Sequence, residues 1–388
     1  MRRPSAPHDR ARDLLAGAVT LLVLPAAVGA SAVATPASGA PAEPRADRTV
    51  RLAPDPGAAV RAAEVGLPTG TGRLETTAYS MVGATWRGSA PRIAVRTAPG
   101  EAWQRLPELH DGPSLGVGEG VSGLHGTDLV WTGEATDIDV RVTGTGHRDL
   151  QLVLIEPDEL ASDSEAAAPA LRQRTTGSTG TLEEADRAPR PDLFTRRDWG
   201  ANNRWRNGRP HYNDRLKQVH VHHTATGNSY SRSDVPGLIR GMYRYHTQSL
   251  GWFDIGYNFL VDRFGRTWVG RSGGPSRLVR GAHTLGFNHQ SVGVAMIGTL
   301  SSRKPWPRAV TALVRVAAWK LDRRGRDAVG RVRSTSTGSD KYRDGEKVRL
   351  PVIDGHRDTN DTACPGQRLY QRLPSIRQRT QRRIDRFD

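Results

Sequence analysis

Val219-His220-Val221-His222-His223-Thr224 is the stretch from which the fold can be read. Valine at every second position is the period of a strand, and the run ends at a polar turn. His220 and His222 fall on one face of that strand and His223 on the other, and spacing alone does not choose among the three. Downstream, Ser233 reads as an N-cap and Pro236 falls in the first turn of a helix running to about Thr247. Ile255 to Val261 reads as a strand, as do Thr267 to Val269 and Ser291 to Ile297. Pro307 opens a helix with Val310, Leu313, Val314 and Ala317 on one face, and a last amphipathic helix covers about Pro374 to Arg386. Strands and helices intermingle, so residues 194–388 read as an α/β domain with a central mixed β-sheet flanked by helices.

The preceding half has a different character. From Val50 to Pro157 apolar residues alternate, as at Ile93 and Val95, at Ile138, Val140 and Val142, and at Leu150, Leu152 and Leu154, with glycine-rich turns between the runs. Residues 50–157 therefore read as a small all-β, sandwich-like module, with Trp86, Trp103 and Trp131 as core aromatics and nothing that resembles a reactive site. Residues 158–193 have too few large apolar groups to bury a core and read as a linker. Residues 35–49, rich in Ala and Pro, read as a flexible segment.

At the start of the chain, Arg2, Arg3, Arg10 and Arg12 precede an apolar run from Leu14 to Ala30 that is followed by small residues. That order is the pattern of a signal peptide over residues 1–34, and it implies a secreted protein, extracellular or associated with the cell wall. No later segment is long or apolar enough to span a membrane, so no transmembrane anchor is expected after processing.

The net charge of +16 is unevenly divided. Residues 1–190 hold 19 Lys+Arg against 24 Asp+Glu, and residues 191–388 hold 37 against 16. A basic half on an exported chain points to an anionic partner, and outside a cell wall polymers are better candidates than nucleic acid. The opposite balances of the two halves also suggest that they dock on each other. A monomer is expected.

The second informative stretch is Gly355-His356-Arg357-Asp358-Thr359-Asn360-Asp361-Thr362-Ala363-Cys364-Pro365-Gly366. Cys364 is the only cysteine, so it has no internal disulfide partner. A thiolate with a histidine eight residues before it is a reasonable zinc pair. Together with a histidine from the first strand end, it would make the three-ligand set a zinc hydrolase needs.

Five segments in order extend the pattern: Arg197-Asp198-Trp199-Gly200-Ala201; Val221-His222-His223-Thr224-Ala225; Gly251-Trp252-Phe253-Asp254-Ile255-Gly256-Tyr257-Asn258-Phe259-Leu260-Val261; Gly281-Ala282-His283; and Gly355 to Asp358 with Thr362 to Gly366. Across about Phe194 to Leu373 the chain resembles the peptidoglycan recognition proteins, a family within the type 2 N-acetylmuramoyl-L-alanine amidases, and is similar to secreted bacterial members. The resemblance implies one Zn2+ ion held by His222, His356 and Cys364. It implies catalytic roles for Tyr257, near the scissile carbonyl, and for Thr362 as a hydroxyl donor. It makes His283, Arg357, Trp252 and Asn258 candidates for substrate contact and Asp358 a candidate to orient a metal-bound histidine. Asp254 reads as scaffold and His246 as a satisfied, partly buried helix residue. Val269 departs from many relatives, which carry glutamate there. The implied partner is peptidoglycan, and the implied reaction is hydrolysis of the amide between the lactyl group of N-acetylmuramic acid and L-alanine. The alternative is a recognition protein that binds peptidoglycan without cutting it; such relatives commonly lack the cysteine, which this chain retains.

Overall fold

The computed structural model describes residues 49–113, 120, 122–167 and 187–387. The expected signal peptide over residues 1–34, residues 35–48 of the flexible segment and residues 168–186 of the expected linker lie outside the described residues.

The first half carries eight strands: β1 (Ala53–Pro54), β2 (Val60–Gly66), β3 (Gly70–Gly88), β4 (Arg92–Arg96), β5 (Gln104–Leu106), β6 (Leu124–Gly126), β7 (Val130–Thr143) and β8 (His147–Pro157). They pair in one sheet of order β1-β2-β8-β3-β7-β4-β5, with β6 beside β3. The pairings are antiparallel. A sandwich needs two facing sheets; here one sheet uses its two faces for different purposes. Leu150, Leu152 and Leu154 of β8 join Val82, Ala84 and Trp86 of β3 in the core of this half. Val153 and Ile155, pointing the other way along β8, join Met81 in a cluster shared with the second half. A strand covered on both faces loses the clean alternation of a half-exposed one, which is why Leu150 to Ile155 is almost continuously apolar. Of the three tryptophans expected in this core only Trp86 is there. The guanidinium groups of Arg96 and Arg141 lie over Trp103, and Trp131 packs at the shared cluster.

The second half begins after a short helix, α1 (Ala161–Ala167), that lies in the segment read as a linker. Its strands are β9 (Gln218–His223), β10 (Phe259–Val261), β11 (Thr267–Val269), β12 (Ser291–Met296), the hairpin β13 (Arg331–Thr337) and β14 (Asp344–Pro351), and β15 (Ile353–Gly355). Its helices are α2 (Asp234–Arg244), continued by a π-turn at Tyr245–Ser249, then α3 (Pro307–Asp322), α4 (Gln367–Tyr370) and α5 (Leu373–Ile384). The main sheet runs β11-β10-β12-β9-β15, with β11 antiparallel to β10 and the other neighbours parallel. It is the mixed sheet flanked by helices that the sequence implied. Val219 and Val221 of β9, with Val292 and Val294 of β12, pack under Val310, Leu313, Val314 and Ala317 of α3 and Ile376 of α5. The opposite face of β9 carries His220 and His222.

Local details depart from the sequence reading for identifiable reasons. Ser233 makes no side-chain cap bond; the turn before α2 is closed by Ser231, whose N–H and hydroxyl donate to Asp234 at 2.7 Å. Only Phe259–Val261 of the apolar run from Ile255 pairs as strand. The β13–β14 hairpin was not anticipated because its strands are mostly polar, with few apolar positions to set a period.

The two halves share a buried surface around α2. The Tyr245 hydroxyl donates to the Ala84 carbonyl at 2.8 Å, and a Cβ at Gly126 would sit 2.7 Å from that hydroxyl, so glycine is required there. Arg244 pairs with Asp55 and Glu64, each at 2.9 Å. Arg240 makes a two-pronged pair with Asp163 of α1 at 2.9 and 2.7 Å, both side chains almost fully buried. Removing one partner of such a pair strands the other charge, at a cost of about 3–5 kcal/mol. Asp163→Ala should therefore lower the unfolding free energy in a urea titration by about that amount, whereas the double variant Asp163→Ala/Arg240→Met should recover a large part of it. Equal losses in both would refute the pair.

Lys320 of α3 is buried, with its ammonium donating to the carbonyls of Pro275 and Arg277 at 2.9 Å. Burial lowers its pKa to about 7. The unfolded chain then binds the extra proton between about pH 7 and 10.5, so stability should rise with pH across that window. Lys320→Met should flatten this rise in parallel urea titrations at pH 7 and 9.5; an unchanged slope would contradict the shift.

Candidate metal centre

Parallel pairing assembles the centre. Ile353, Asp354 and Gly355 of β15 lie opposite Val219, His220 and Val221 of β9, so both strands deliver their C-terminal ends to one place. His222 is the next side chain on the site face of β9, and His356 follows β15 at once in a 3₁₀ turn, His356–Asp358. A closed loop returns Cys364 to the same point. The Arg357 N–H donates to the Cys364 carbonyl at 3.0 Å, and the Arg357 guanidinium donates to Gln367 Oε1 at 2.8 Å and to the Ala363 carbonyl. Asp358 accepts the Gly355 N–H at 2.9 Å and the Tyr370 hydroxyl at 2.5 Å.

One donor atom from each of His222, His356 and Cys364 lies within 4.8 Å of the others. His222 Nδ1 is 3.7 Å from Cys364 Sγ, and the two imidazole rings have centroids 4.7 Å apart. Zinc binds histidine nitrogen at about 2.0–2.1 Å and thiolate sulfur at about 2.3 Å, so two ligands of one tetrahedral ion lie about 3.3–3.6 Å apart. The donor set, its burial and its spacing fit such an ion. Burial, reinforced for His222 by the neighbouring His356, lowers the pKa of His222 well below its usual value, and burial takes His356 down to about 3. Both rings are therefore neutral, the form that binds metal. Burial pushes the Cys364 thiol up, while the His223 N–H donates to its sulfur at 3.4 Å.

The other histidines divide the surrounding work. His222 Nε2 lies 3.1 Å from His283 Nδ1, which leaves Nδ1 of His222 facing the centre. His283 is completely buried behind the ligand, so it is an outer partner of His222 rather than a group exposed for substrate. His220 pairs with Asp354 at 2.5 Å and stays on the strand. His223, on the other face, accepts the Leu300 N–H at 3.1 Å. His246 accepts the Gly256 N–H at 3.2 Å and stacks on Trp252 at 4.5 Å, as a satisfied helix residue should.

Tyr257 is buried with its ring 5.4 Å from that of His222. Thr362 sits in the loop with its hydroxyl oxygen accepting the Cys364 N–H at 3.2 Å. Asn258 bridges chain segments, donating to the Val279 carbonyl at 2.8 Å and accepting the Gly293 N–H at 2.9 Å. Arg357 is engaged by its own loop and lies over Tyr370. Both amide ends of Asn258 and the guanidinium of Arg357 thus make bonds within the protein. Asp358 holds the loop instead of orienting a histidine, and His283 does the orienting. Asp254 joins Arg196 at 2.9 Å and accepts the Ser272 N–H, as scaffold.

One residue at the centre was missed. Asp111, from the segment between β5 and β6, has Oδ1 3.3 Å from His356 Nδ1 and 3.7 Å from His222 Nδ1. Its Oδ2 accepts the Tyr257 hydroxyl at 2.6 Å. In the sequence it stands in His110-Asp111-Gly112-Pro113, where aspartate beside glycine and proline reads as a turn. No local signal distinguishes it.

The profile of the N-acetylmuramoyl-L-alanine amidase family (Amidase_2) matches residues 212–367. Peptidoglycan-recognition protein SC2 of Drosophila simulans is 28% identical over 158 residues, 41% of this chain and 72% of that protein. Peptidoglycan-recognition protein SC1a of Drosophila melanogaster is 28% identical over 182 residues, 47% of this chain and 83% of that protein. Among solved structures, Drosophila PGRP-LB is similar at 27% identity and a TM-score of 0.38, over 47% of this chain and 93% of that one. The domain that carries the His222, His356 and Cys364 cluster, matched over residues 212–367, belongs to the family of peptidoglycan recognition proteins and type 2 N-acetylmuramoyl-L-alanine amidases.

Proposed function

We propose that the protein is a zinc-dependent N-acetylmuramoyl-L-alanine amidase, hydrolysing the bond between the lactyl group of N-acetylmuramic acid and L-alanine in peptidoglycan. The observation that carries this reading is the convergence of two buried imidazoles from strand ends and one thiol from a returning loop. A zinc ion held there would act as a Lewis acid and lower the pKa of a water towards about 7. His283 fixes the orientation of His222 through the 3.1 Å contact between their rings. Tyr257 keeps its proton because burial, followed by the charge of Asp111, raises its pKa well above the usual value. A protonated phenol is the form that can donate to the carbonyl oxygen as negative charge develops on it. Thr362 is the second candidate donor. Export through residues 1–34 would deliver the enzyme to the wall, and the basic second half would favour adsorption to anionic wall polymers.

A second reading is supported by the relatives, whose names describe recognition proteins. Binding without cleavage would use the same site. Retention of Cys364 favours the enzyme, because a site that only binds has no need of a third metal ligand.

Three outcomes follow. Zinc-loaded protein incubated in excess with purified peptidoglycan should release new L-alanine amino termini; reducing sugars alone, or wall binding without any new amine, would refute the amidase. Tyr257→Phe should lower the rate of that release by about 10²–10³-fold while zinc content stays at one equivalent. Dialysis against a chelator should strip Cys364→Ser of metal far more readily than the parent chain, and His283→Ala should weaken zinc by about 10–100-fold in a competition titration. Unchanged zinc retention in Cys364→Ser would remove the thiolate from the site.

A further inference from the structure

We infer that Asp111, contributed by the β half, is a fourth ligand of the metal centre and closes it in the intact chain. This rests on the zinc reading of His222, His356 and Cys364 given above. Asp111 Oδ1 lies 3.3 Å from His356 Nδ1 and 3.7 Å from His222 Nδ1, and His222 Nδ1 is itself 3.7 Å from Cys364 Sγ. These are close to the ligand-to-ligand edges of a tetrahedral zinc site, about 3.3–3.6 Å.

A second observation points the same way. The Asp111 side chain is 4% exposed, and its Oδ1 makes no hydrogen bond. Burying a carboxylate oxygen with no donor is costly, and proteins avoid it unless a cation or an ion pair is present. The neighbouring imidazoles face the oxygen with their Nδ1 atoms. A divalent cation among the four atoms satisfies all of them at once.

The segment is held at both sides of Asp111. His110 Nδ1 pairs with Asp340 Oδ2 at 2.8 Å, and Asn288 Nδ2 donates to the Gly112 carbonyl at 2.8 Å. Asn288 is itself tied to the site, because its Oδ1 accepts the His283 N–H at 2.9 Å. Asp111 Oδ2 takes the Tyr257 hydroxyl at 2.6 Å. One side chain thus occupies the position that a catalytic zinc keeps open and the phenol proposed to meet the substrate carbonyl. Cleavage requires residues 110–112 to withdraw. Withdrawal breaks the partly exposed His110–Asp340 pair, the Asn288–Gly112 bond and the Tyr257–Asp111 bond, and leaves the buried contacts of Tyr245 and Arg240 in place. The intact chain is a latent form in which the β half competes with substrate for the metal.

The test uses the full chain with cobalt in place of zinc, and acetohydroxamate as a small chelating probe followed by visible absorption. A cavity of about 580 Å³ bordered by Pro107, His110, Asp128 and Cys364 gives such a probe a way in. If the open form is about 1–10% of the population, freeing it tightens apparent binding by about 10–100-fold. Asp111→Ala and Asp111→Asn should both show this gain, with a cobalt spectrum different from that of the parent chain before any probe is added. The asparagine variant keeps the side-chain shape and so separates ligand loss from misfolding, and circular dichroism checks both. The zinc forms of both variants should also release L-alanine amino termini about 10-fold faster than the parent. Identical cobalt spectra and equal acetohydroxamate affinity in all three proteins would overturn the fourth ligand even if all cleave peptidoglycan. A tenfold difference in probe binding with no cleavage by any form would uphold it and sink the amidase reading instead.

Discussion

Everything at the centre depends on the parallel pairing of β15 with β9. The register that sets Asp354 opposite His220 brings His222 and His356, separated by more than a hundred residues of chain, to adjoining strand ends. A slip of one residue would turn His222 to the α3 side of the sheet and separate the donors. Val219, Val221 and Ile353 fix that register by burial in the core under α3 and α5. The loop bonds of Arg357 and Asp358 then fold Cys364 back over the pair. Packing on one face of the sheet determines chemistry on the other.

The β half is joined to this arrangement through a surface with a core of its own. Met81, Val153 and Ile155 pack with Leu238, Met242 and Tyr245, while Arg240 and Arg244 reach acidic residues across the boundary. The charge asymmetry between the halves has a local counterpart in these pairs. The same docking carries Asp111 to His222 and His356, so a module without catalytic motifs contributes to the electrostatics of the site.

What was legible in the sequence follows from what is local. The alternation in Val219 to His223, the proline opening α3 and the paired motifs around His356 and Cys364 are short-range signals, and each corresponds to an element or a donor. The choice of His222 over His220 and His223 came from family resemblance; physically it is a matter of partners, since Asp354 takes His220 and the Leu300 N–H takes His223. Long-range pairing left less trace. Asn258 and Arg357 look like substrate groups in a motif, yet their bonds go to the Val279 and Ala363 carbonyls. The second face of β8 was hidden because its partner, α2, is far along the chain. Asp111 was hidden for the same reason, as an aspartate in a turn until the tertiary fold sets it beside two imidazoles.

The function proposed for the centre requires that His222, His356 and Cys364 hold one divalent ion. Anomalous diffraction recorded on either side of the zinc absorption edge, from crystals of the full chain, tests it most directly. A single strong peak is expected within bonding distance of the His222 and His356 rings and of Cys364 Sγ. A zinc peak bound elsewhere, or those three side chains ordered around no peak in zinc-replete crystals, would contradict it.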